Sequence, residues 1–457
     1  MKTLLKNFLP LLSGEVVSKV LGFLATLYLA RRLGSESFGK LGFALALYSY
    51  VALLVANGTE TVAIREVARG NSAVPLITST VFLLRWLFVA AAGLVLAIVV
   101  ATQSLDGPTL ILLLLQSANL LLFPWSLQYV AQGLQKTPHI ALTRGIQSIL
   151  YLAFVLATVQ SFDDVNKVPI LLFASTLIAQ LVLLAIYRNR FGRLFKMVPW
   201  SEVMSFLRSS IPLGLASVFV AISTNADTVI LGFTRTANEV GFYSAAYKII
   251  LFVAGFQVLF SQATLAFFSN LKQKNPGRLK SLVGNMLPAL FEGSLVLALF
   301  LFFFAQQICG ILFGQLYGES AAALRVLSFV IPLLFSESVA IQLLLAADRQ
   351  KTYMTVTGIG GLLNIAANIL VIPLYGIVGA AFVTLVSESL VLTLLLWSSR
   401  SILGDTWSKF SVEYLGAAVI VFLLFSAPQP GLVLVFAIVF GMLFVMRVRA
   451  LYSTEIR

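Results

Sequence analysis

The stretch LPLLSGEVVSKVLGFLATLYLARRLGSESFGKLGFA, Leu9–Ala44, combines a long apolar run with charges in its interior. Glu15 and Lys19 lie four residues apart inside the run, with the acid first, the order that favours a pair within one helix. Arg31 and Arg32 end the run without a small-residue cleavage pattern before them, so it does not have the form of a signal peptide. We interpret it as a first membrane span, since about 20 predominantly apolar residues cross a bilayer.

The 457-residue chain as a whole has the composition of a membrane protein. Hydrophobic residues make up 59% of it and charged residues 11%, and the mean hydropathy is +0.97. The net charge of +13 lies mostly between the apolar runs, so it indicates membrane topology more than nucleic-acid binding. Cys309 is the only cysteine and His139 the only histidine, which argues against metal or redox chemistry. We therefore expect no metal, no cofactor and no nucleic-acid partner.

Apolar runs of spanning length recur along the chain and predict an all-α polytopic membrane protein with about 14 transmembrane helices. The predicted spans are Leu9–Ala30, Phe38–Asn57, Ser79–Ala101, Thr109–Ala131, Ile140–Val159, Val168–Tyr187, Ile211–Phe233, Val240–Phe268, Val283–Phe304, Leu324–Ala346, Tyr353–Ile372, Ile377–Trp397, Tyr414–Ser426 and Gly431–Val448. Cytoplasmic loops retain positive charge, and most Lys and Arg residues fall on the inner connections when the N-terminus is inside. We therefore expect both termini in the cytoplasm.

The opening stretch has a partner in the second half of the chain. At an offset of 202 residues it aligns with IPLGLASVFVAISTNADTVILGFTRTANEVGFYSAA, where Pro10 falls on Pro212 and Gly39 on Gly241. A second match, of LLFPWSLQYVAQGLQKT with LLFSESVAIQLLLAADRQKT, implies nearly the same period. We predict two six-helix lobes related by a parallel repeat, plus two C-terminal helices. The predicted domains are 1–200, 201–400 and 401–457.

Charged residues inside the spans are the functional candidates. A charge at the bilayer centre costs roughly 2.5–3.5 kcal/mol even on lenient scales, so it usually faces a bundle interior or a watery cavity. Glu15 and Lys19 lie in the first span, and Asp227 and Lys248 lie in spans seven and eight, where we expect them to face one another. Two interpretations stay open for these four: residues of a substrate cavity, or neutralised pairs that fix helix packing.

Other charges suggest ion coupling and gating. Lone acids inside later spans are candidates for binding a proton or a sodium ion. They are Glu292, Glu337 and Glu388. Arg65 and Arg69 belong to a segment that we expect to be a solvated inner loop with a gating role, and Arg85 either joins that gate or snorkels to the membrane surface. The motifs GxxxxGK[ST], HExxH and CxxC are missing, so we expect no catalytic residues and a secondary transporter instead of an enzyme.

Several segments resemble the polysaccharide-biosynthesis flippases of the Wzx or O-antigen type, in the multidrug/oligosaccharidyl-lipid/polysaccharide exporter superfamily. They are SGEVVSKVLGF, RRLGSESFGKLGFA, AIREVAR, DTVILG with NEVGFYSAAYKI, and IPLYGIVGAAFVTLVSE. The resemblance implies that an undecaprenyl-pyrophosphate-linked oligosaccharide moves from the inner to the outer leaflet of the cytoplasmic membrane by alternating access, for surface polysaccharide synthesis. It assigns Glu15, Lys19, Asp227 and Lys248 to the substrate cavity. Membrane lipids, a polysaccharide polymerase and chain-length proteins are the further partners that it suggests.

Other functions stay open at this point. A cation-coupled small-molecule efflux carrier of the same superfamily would have an acid-lined cavity in the first lobe, against which Lys19 argues mildly. A lipid II flippase is a close relative that the sequence separates poorly from the first interpretation. A non-transporting scaffold or a membrane-embedded glycan polymerase is the alternative from another class. The polymerase is disfavoured because no outer connection is long and polar.

Overall fold

The computed structural model describes residues 2–56, 58–70, 74–103, 105–192, 194–222, 225–426 and 439–447. These residues form helices, 3-10 segments and turns, with no strand among them. The α-helices are α1 (Lys2–Ala56), α2 (Thr59–Arg69), α3 (Val74–Thr102), α4 (Gly107–Ser117), α5 (Gln128–Gly133), α6 (Thr137–Thr158), α7 (Lys167–Phe191), α8 (Trp200–Ile222), α9 (Ala226–Thr234), α10 (Ala237–Lys274), α11 (Pro276–Phe303), α12 (Ala305–Phe313), α13 (Ser320–Ser328), α14 (Val330–Ala346), α15 (Gln350–Leu403) and α16 (Asp405–Ser426). A further helical segment covers 439–447.

Within the described ranges, nine helices are long and apolar enough to cross a membrane. This confirms the predicted all-α polytopic membrane protein. The fourteenth predicted span, Gly431–Val448, lies partly outside the described residues, because 427–438 and Val448 are not among them. The count of 14 spans therefore stays a prediction.

The two longest helices each combine two predicted spans and bend at a glycine. The apolar part of α1, Gly14–Val55, has 42 residues. A straight helix of that length would extend roughly 63 Å, about twice the hydrocarbon thickness. Gly34 has φ 71° and interrupts α1, and Gly376 has φ 56° and interrupts α15. A side chain is strained at such positive φ values, so glycine permits the chain to turn there without a loop.

The fourth predicted span, Thr109–Ala131, is not one continuous helix. After α4 the chain forms a 3-10 segment, Ala118–Trp125, and the next α-helix begins only at Gln128. Pro124 lies inside the 3-10 segment. Proline has no N–H to donate and its ring crowds the preceding turn, so a regular α-helix cannot pass through it. The prediction of an uninterrupted span was wrong here for that reason.

The segment that carries Arg65 and Arg69 is a helix, α2, and not the predicted loop. One face of α2 is buried, and Ala63 and Val67 on it belong to a hydrophobic cluster that also includes residues of α3, α5, α6 and α7. A Cβ on Gly133 would lie 2.7 Å from the Cβ of Val67, so the glycine allows α5 to approach α2. The sequence did not show this face, because α2 itself contributes few apolar residues. Residues of other helices complete the cluster.

The chain divides into two compact units, unit 1 (Met1–Gly241) and unit 2 (Phe242–Arg457). In unit 1, α8 packs against α1, α2 and α3, and α9 packs against α1. In unit 2, α11, α14 and α15 pack together around a cluster that includes Phe291, Leu343 and Leu395. The predicted domain boundaries at 200 and 400 and the division into six, six and two helices stay predictions.

Candidate functional site: a cationic pocket in unit 1

A polar pocket of about 370 Å³ lies within unit 1 and is called the cationic pocket below. Its walls come from α1, α5, α6 and α7. The lining residues are Glu15, Ser18, Lys19, Gly22, Gln128, Arg144, Gln147, Ser148, Tyr151 and Leu172. The pocket therefore contains both predicted charges of the first span, together with a set of polar side chains from α6.

Two helix faces meet at this pocket. Glu15, Ser18, Lys19 and Gly22 recur along α1 at helical spacing, and α6 packs closely against that helix. A Cβ on Gly14 would lie only 2.8 Å from the Cβ of Ala141, so glycine permits the close approach. A Cβ on Gly22 would meet nothing within 4 Å, which marks the side of α1 where the pocket opens. The backbones thus converge beside Glu15 and separate towards Gly22.

The ion pair in this pocket joins Glu15 to Arg144, with Oε1 3.4 Å from Nη1. The two side chains are 16% and 36% exposed, respectively. The sequence indicated a pair between Glu15 and Lys19, but Lys19 forms no ion pair with any residue that the structure describes. With two cationic side chains and one carboxylate, the pocket carries a net charge of +1. An anion therefore finds a complementary environment there.

Sequence reasoning did not single out Arg144, which lies near the start of the predicted span Ile140–Val159. The structure puts it in the second turn of α6, where it faces the pocket. The signal was present, because Arg144, Gln147, Ser148 and Tyr151 are spaced as one helix face. Gln128 had no such signal, since the break at Pro124 brings it to the pocket.

Asp227 and Lys248 belong to different units, so their predicted pairing stays a prediction. Asp227 is buried in the first turn of α9, where its Oδ1 accepts a hydrogen bond from the backbone N–H of Thr228 at 2.7 Å. It also interacts electrostatically with Tyr50 of α1. Lys248 lies in α10, within an apolar stretch of spanning length, and forms no ion pair among the described residues. A lysine at such a position is a functional candidate.

The structure brings two of the three lone acids together in unit 2. The carboxyl groups of Glu337 in α14 and Glu388 in α15 are close enough to interact with one another. Tyr353 and Tyr414 are close enough to Glu337 to interact with it electrostatically. Glu337 is 6% exposed. The two acids therefore form one carboxyl pair, with Glu337 buried and Glu388 partly exposed, instead of two separate sites.

Glu292, the third lone acid, lies elsewhere in unit 2. Its Oε1 is 3.4 Å from Nε of Arg447, and Arg447 also pairs with Glu413 of α16. The Glu292 side chain is only 1% exposed. A Cβ on neighbouring Gly293 would lie 2.8 Å from the ring of Phe444, so the 439–447 helix packs tightly on α11. These contacts give Glu292 a structural partner, and its role in ion coupling stays a prediction.

Arg85 is buried and does not snorkel. Its Nη1 donates hydrogen bonds to the backbone oxygens of Phe123 and Ser126, both at 3.0 Å, and its guanidinium lies over the ring of Tyr129. Backbone groups that a broken helix leaves unpaired must find partners inside the membrane. Arg85 supplies hydrogen-bond donors to two backbone oxygens at the Pro124 break.

The other two predicted gate residues are exposed. Arg65 and Arg69 both pair with Glu66, at 3.2 Å and 2.9 Å. Their side chains are 55% and 66% exposed. They lie on the face of α2 opposite its buried residues. The gating role of Arg65, Arg69 and Arg85 stays a prediction.

The described helices define an all-α polytopic membrane protein, and solved transporter structures share its fold. The lipid II flippase MurJ, in an inward closed conformation, matches with a TM-score of 0.73 and 16% identity, over 98% of this chain and 99% of that chain. An inward-facing multidrug resistance transporter of the MATE family and MOP superfamily matches with a TM-score of 0.67 and 14% identity, over 88% of this chain and 99% of that chain. At these identities the likeness concerns the fold alone.

The chain belongs to the polysaccharide biosynthesis protein family, whose pattern matches residues 4–272. It is 23% identical over 388 residues to a putative O-antigen transporter of Escherichia coli strain K12, covering 82% of this chain and 91% of that protein. It is also 23% identical over 398 residues to a probable low-salt glycan biosynthesis flippase, Agl15, of Haloferax volcanii. That match covers 84% of this chain and 81% of that protein. The resemblance to polysaccharide flippases predicted from short segments is confirmed.

Proposed function

We propose that this protein moves undecaprenyl-pyrophosphate-linked oligosaccharides from the inner to the outer leaflet of the cytoplasmic membrane by alternating access, for surface polysaccharide synthesis. The cationic pocket is the observation that carries the proposal, because it offers Lys19 and Arg144 to an anionic group inside a membrane-spanning unit. The relatives that are described as an O-antigen transporter and a glycan biosynthesis flippase support the class of cargo.

A pyrophosphate matches the charges of this pocket. The guanidinium of Arg144 presents several N–H donors in one plane, and its contact with Glu15 uses only one of them at a long 3.4 Å. A phosphate group can therefore replace Glu15 as the hydrogen-bond acceptor of Arg144. The ammonium of Lys19 then acts as a point charge beside the phosphate. The protein walls around the two cations replace part of the surrounding water, so these attractions are stronger than at a free surface.

We further propose that Glu337 and Glu388 together bind the coupling ion, either a proton or a sodium ion. Acidic side chains inside the membrane are costly and are commonly retained for ion pathways. Their contact across α14 and α15 supports a joint site, because a cation bound between two carboxyl groups would be neutralised by both. Asp227 in unit 1 and Lys248 in unit 2 are each proposed as further substrate-binding residues.

The proposed orientation has both termini in the cytoplasm. It follows from the Lys and Arg residues that lie on the inner connections. The lipid tail of the cargo would stay in the bilayer while the pyrophosphate crosses near the pocket. A polysaccharide polymerase and chain-length proteins are the expected partners, since they would use the oligosaccharide after it reaches the outer leaflet.

The proposal is tested by replacing the chromosomal gene with variants in its own host. We expect the deletion strain to accumulate undecaprenyl-linked oligosaccharide on the inner leaflet, and Lys19→Ala and Arg144→Ala to fail to restore surface polysaccharide. Lys274→Ala, at an exposed position in the last turn of α10, is the matched control and should restore it.

Two results would contradict the proposal. Normal surface polysaccharide in the deletion strain would exclude this cargo. Full restoration by both pocket variants, at normal protein levels in the membrane, would return Lys19 and Arg144 to a structural role. Rescue of a strain depleted of its lipid II flippase, without any effect on surface polysaccharide, would instead assign lipid II as the cargo.

A further inference from the structure

A second polar pocket of unit 1, called the distal pocket below, lies beside the glycine turn of α1. Its volume is about 270 Å³, under the roughly 300–1,000 Å³ of pockets for drug-sized ligands, so it suits one small ring. Glu15 of the cationic pocket is separated from Gly34 by 19 residues, or roughly 28 Å of helix, so the two pockets lie at opposite ends of the first span. The residues that line the distal pocket are Gly39, Lys40, Phe43, Gln103, Leu105, Asp106, Thr109, Gly232, Phe233, Arg235, Ala237 and Val240.

The charges of the distal pocket are balanced, unlike those of the cationic pocket. Lys40 donates a hydrogen bond to Glu36 at 2.8 Å, and its Nζ lies 3.8 Å from Oδ2 of Asp106. Arg235 pairs with Glu239 at 3.9 Å. The two cations thus have three carboxylates near them, so the pocket does not favour an anion. It does not favour a calcium ion either, because that ion takes roughly 6–8 oxygen ligands and Asp106 is the one carboxylate among the lining residues.

Several polar groups that line the distal pocket have no hydrogen-bond partner in the described part of the chain. Asp106 is the N-cap residue of α4, yet its side chain makes no capping hydrogen bond, although aspartate at that position commonly accepts one. Thr109 is only 3% exposed, and its hydroxyl hydrogen-bonds to no described residue. The same holds for the side-chain amide of Gln103. A buried polar group without a partner costs free energy, so a ligand that pairs with these groups gains by binding.

A sugar ring matches this set of groups. Each sugar hydroxyl both donates and accepts, and the pocket offers the acceptor oxygens of Asp106, the amide of Gln103 and the remaining N–H donors of Lys40. Phe233 is 44% exposed and packs edge-on against Phe43, with ring centroids 5.1 Å apart. Its ring gives the pocket an apolar wall against which the C–H groups of a sugar can pack. Balanced charges, unused donors and acceptors and an aromatic wall together fit an uncharged, hydroxyl-rich ring.

We propose that the distal pocket binds one uncharged sugar ring of the oligosaccharide at the outer side of the membrane. This inference rests on the proposed function and orientation, because they supply the cargo and place the turn at Gly34 outside. The two pockets of unit 1 divide the chemistry of the cargo between them. The cationic pocket attracts the pyrophosphate, and the distal pocket receives a sugar that has crossed. The alternative is a water-filled cleft that only fixes the connection between α3 and α4.

Saturation-transfer NMR of the purified full-length protein in detergent tests for sugar binding. The probe is the repeat oligosaccharide released from the surface polysaccharide of the host. We expect transfer to the ring protons of one sugar, and Asp106→Asn and Gln103→Ala should each reduce it severalfold. Lys19→Ala, in the cationic pocket, is the matched control and should keep the transfer.

The converse measurement shows that the variants are folded. Asp106→Asn should bind inorganic pyrophosphate as the parent does in a calorimetric titration, whereas Lys19→Ala should bind it more weakly. No transfer to the parent's probe, equal transfer in the parent and both distal variants, or loss of transfer in Lys19→Ala would each overturn the distal site. Failure of the proposed function shows separately, as normal surface polysaccharide in the deletion strain.

Cysteine protection tests the position of the site on the outer side. Leu105→Cys in a Cys309→Ala background is labelled by a membrane-impermeant maleimide in right-side-out membrane vesicles. The oligosaccharide should slow this labelling severalfold, and adding Asp106→Asn should remove the protection. Phe162→Cys, on the other predicted outer connection of unit 1 and 63% exposed, is the control and should be labelled at the same rate with and without the sugar. Labelling of Leu105→Cys that the sugar does not slow, or that requires permeabilised vesicles, would overturn the proposal.

Discussion

Arg144 and Glu15 are 129 residues apart in the sequence, yet Nη1 of the arginine lies 3.4 Å from Oε1 of the glutamate. The contact ties α6 to α1 beside the one lysine of the cationic pocket. A purely structural pair and a substrate-binding pair make different predictions, because only the second holds a cation that an anionic ligand can use.

We expect Glu15→Gln and Arg144→Ala to change anion binding in opposite directions. Removing Glu15 frees Arg144 and raises affinity for pyrophosphate, whereas removing Arg144 deletes a charge-assisted hydrogen bond of about 1.5–3 kcal/mol, roughly tenfold or more in affinity. Calorimetric titration of the purified protein with inorganic pyrophosphate measures both. If the two variants weaken binding equally, the pair serves packing alone.

Arg85→Met should destabilise unit 1 without changing the charges that line the cationic pocket. The substitution keeps much of the side-chain length but removes the arginine donor to the backbone oxygen of Ser126 and one of the two donors to that of Phe123, which also accepts from the N–H of Ser126; a buried unsatisfied group costs about 1–3 kcal/mol. Thermal unfolding of the detergent-solubilised protein measures the loss. Arg278→Met, at an exposed position in α11, should unfold like the parent. An Arg85→Met protein as stable as this control would show that the carbonyl groups find other partners.

Arg447→Met should destabilise unit 2 by about 3 kcal/mol, because it leaves Glu292 buried without a cation. We take the lower end of the range for buried pairs, since Arg447 is 30% exposed. Adding Glu292→Gln should recover most of the loss, and the non-additivity of the two changes measures their coupling. Strictly additive effects in thermal unfolding would argue against the ion pair.

Glu337→Gln and Glu388→Gln should each remove the dependence of flipping on an ion gradient. Either change takes one carboxyl group from the shared pair, so the remaining acid no longer binds the cation with its partner. The rate is measured in liposomes with an imposed proton or sodium gradient. Glu319→Gln, an exposed acid of the same unit, is the control and should keep the dependence. Gradient-dependent flipping by both variants would exclude the pair as the coupling site.

The spanning helices could be predicted from the sequence, because apolar length is a local property. The bends at Gly34 and Gly376 fall in the gaps between predicted spans, so the same rule located them, but it did not show that a single glycine turns the chain there without a loop. Pro124 gave a local warning of the broken span, but the arginine that stabilises the break comes from another helix. The α2 helix was mistaken for a loop because its apolar face is short.

Only part of the candidate site could be predicted from the sequence. Glu15 and Lys19 stood out because charges are rare inside a span, but Arg144 was not chosen as a site residue, since a charge so close to the start of a span is common. Its contact with Glu15 depends on how α1 and α6 pack beside Gly14, which no local pattern encodes. The approach of Glu337 to Glu388 likewise depends on the packing of α14 against α15.

The pairing of Glu292 with Arg447 also has a consequence for synthesis of the chain. Arg447 leaves the ribosome about 155 residues after Glu292, a delay of roughly 8 to 30 seconds at ordinary elongation rates. During that interval α11 holds an acid without the cation that later neutralises it. The insertion machinery must therefore shelter α11, or keep Glu292 in contact with water, until the end of the chain arrives. A chain that stops before residue 447 never completes the pair, and it presents quality-control proteases with a permanently uncompensated charge in the membrane.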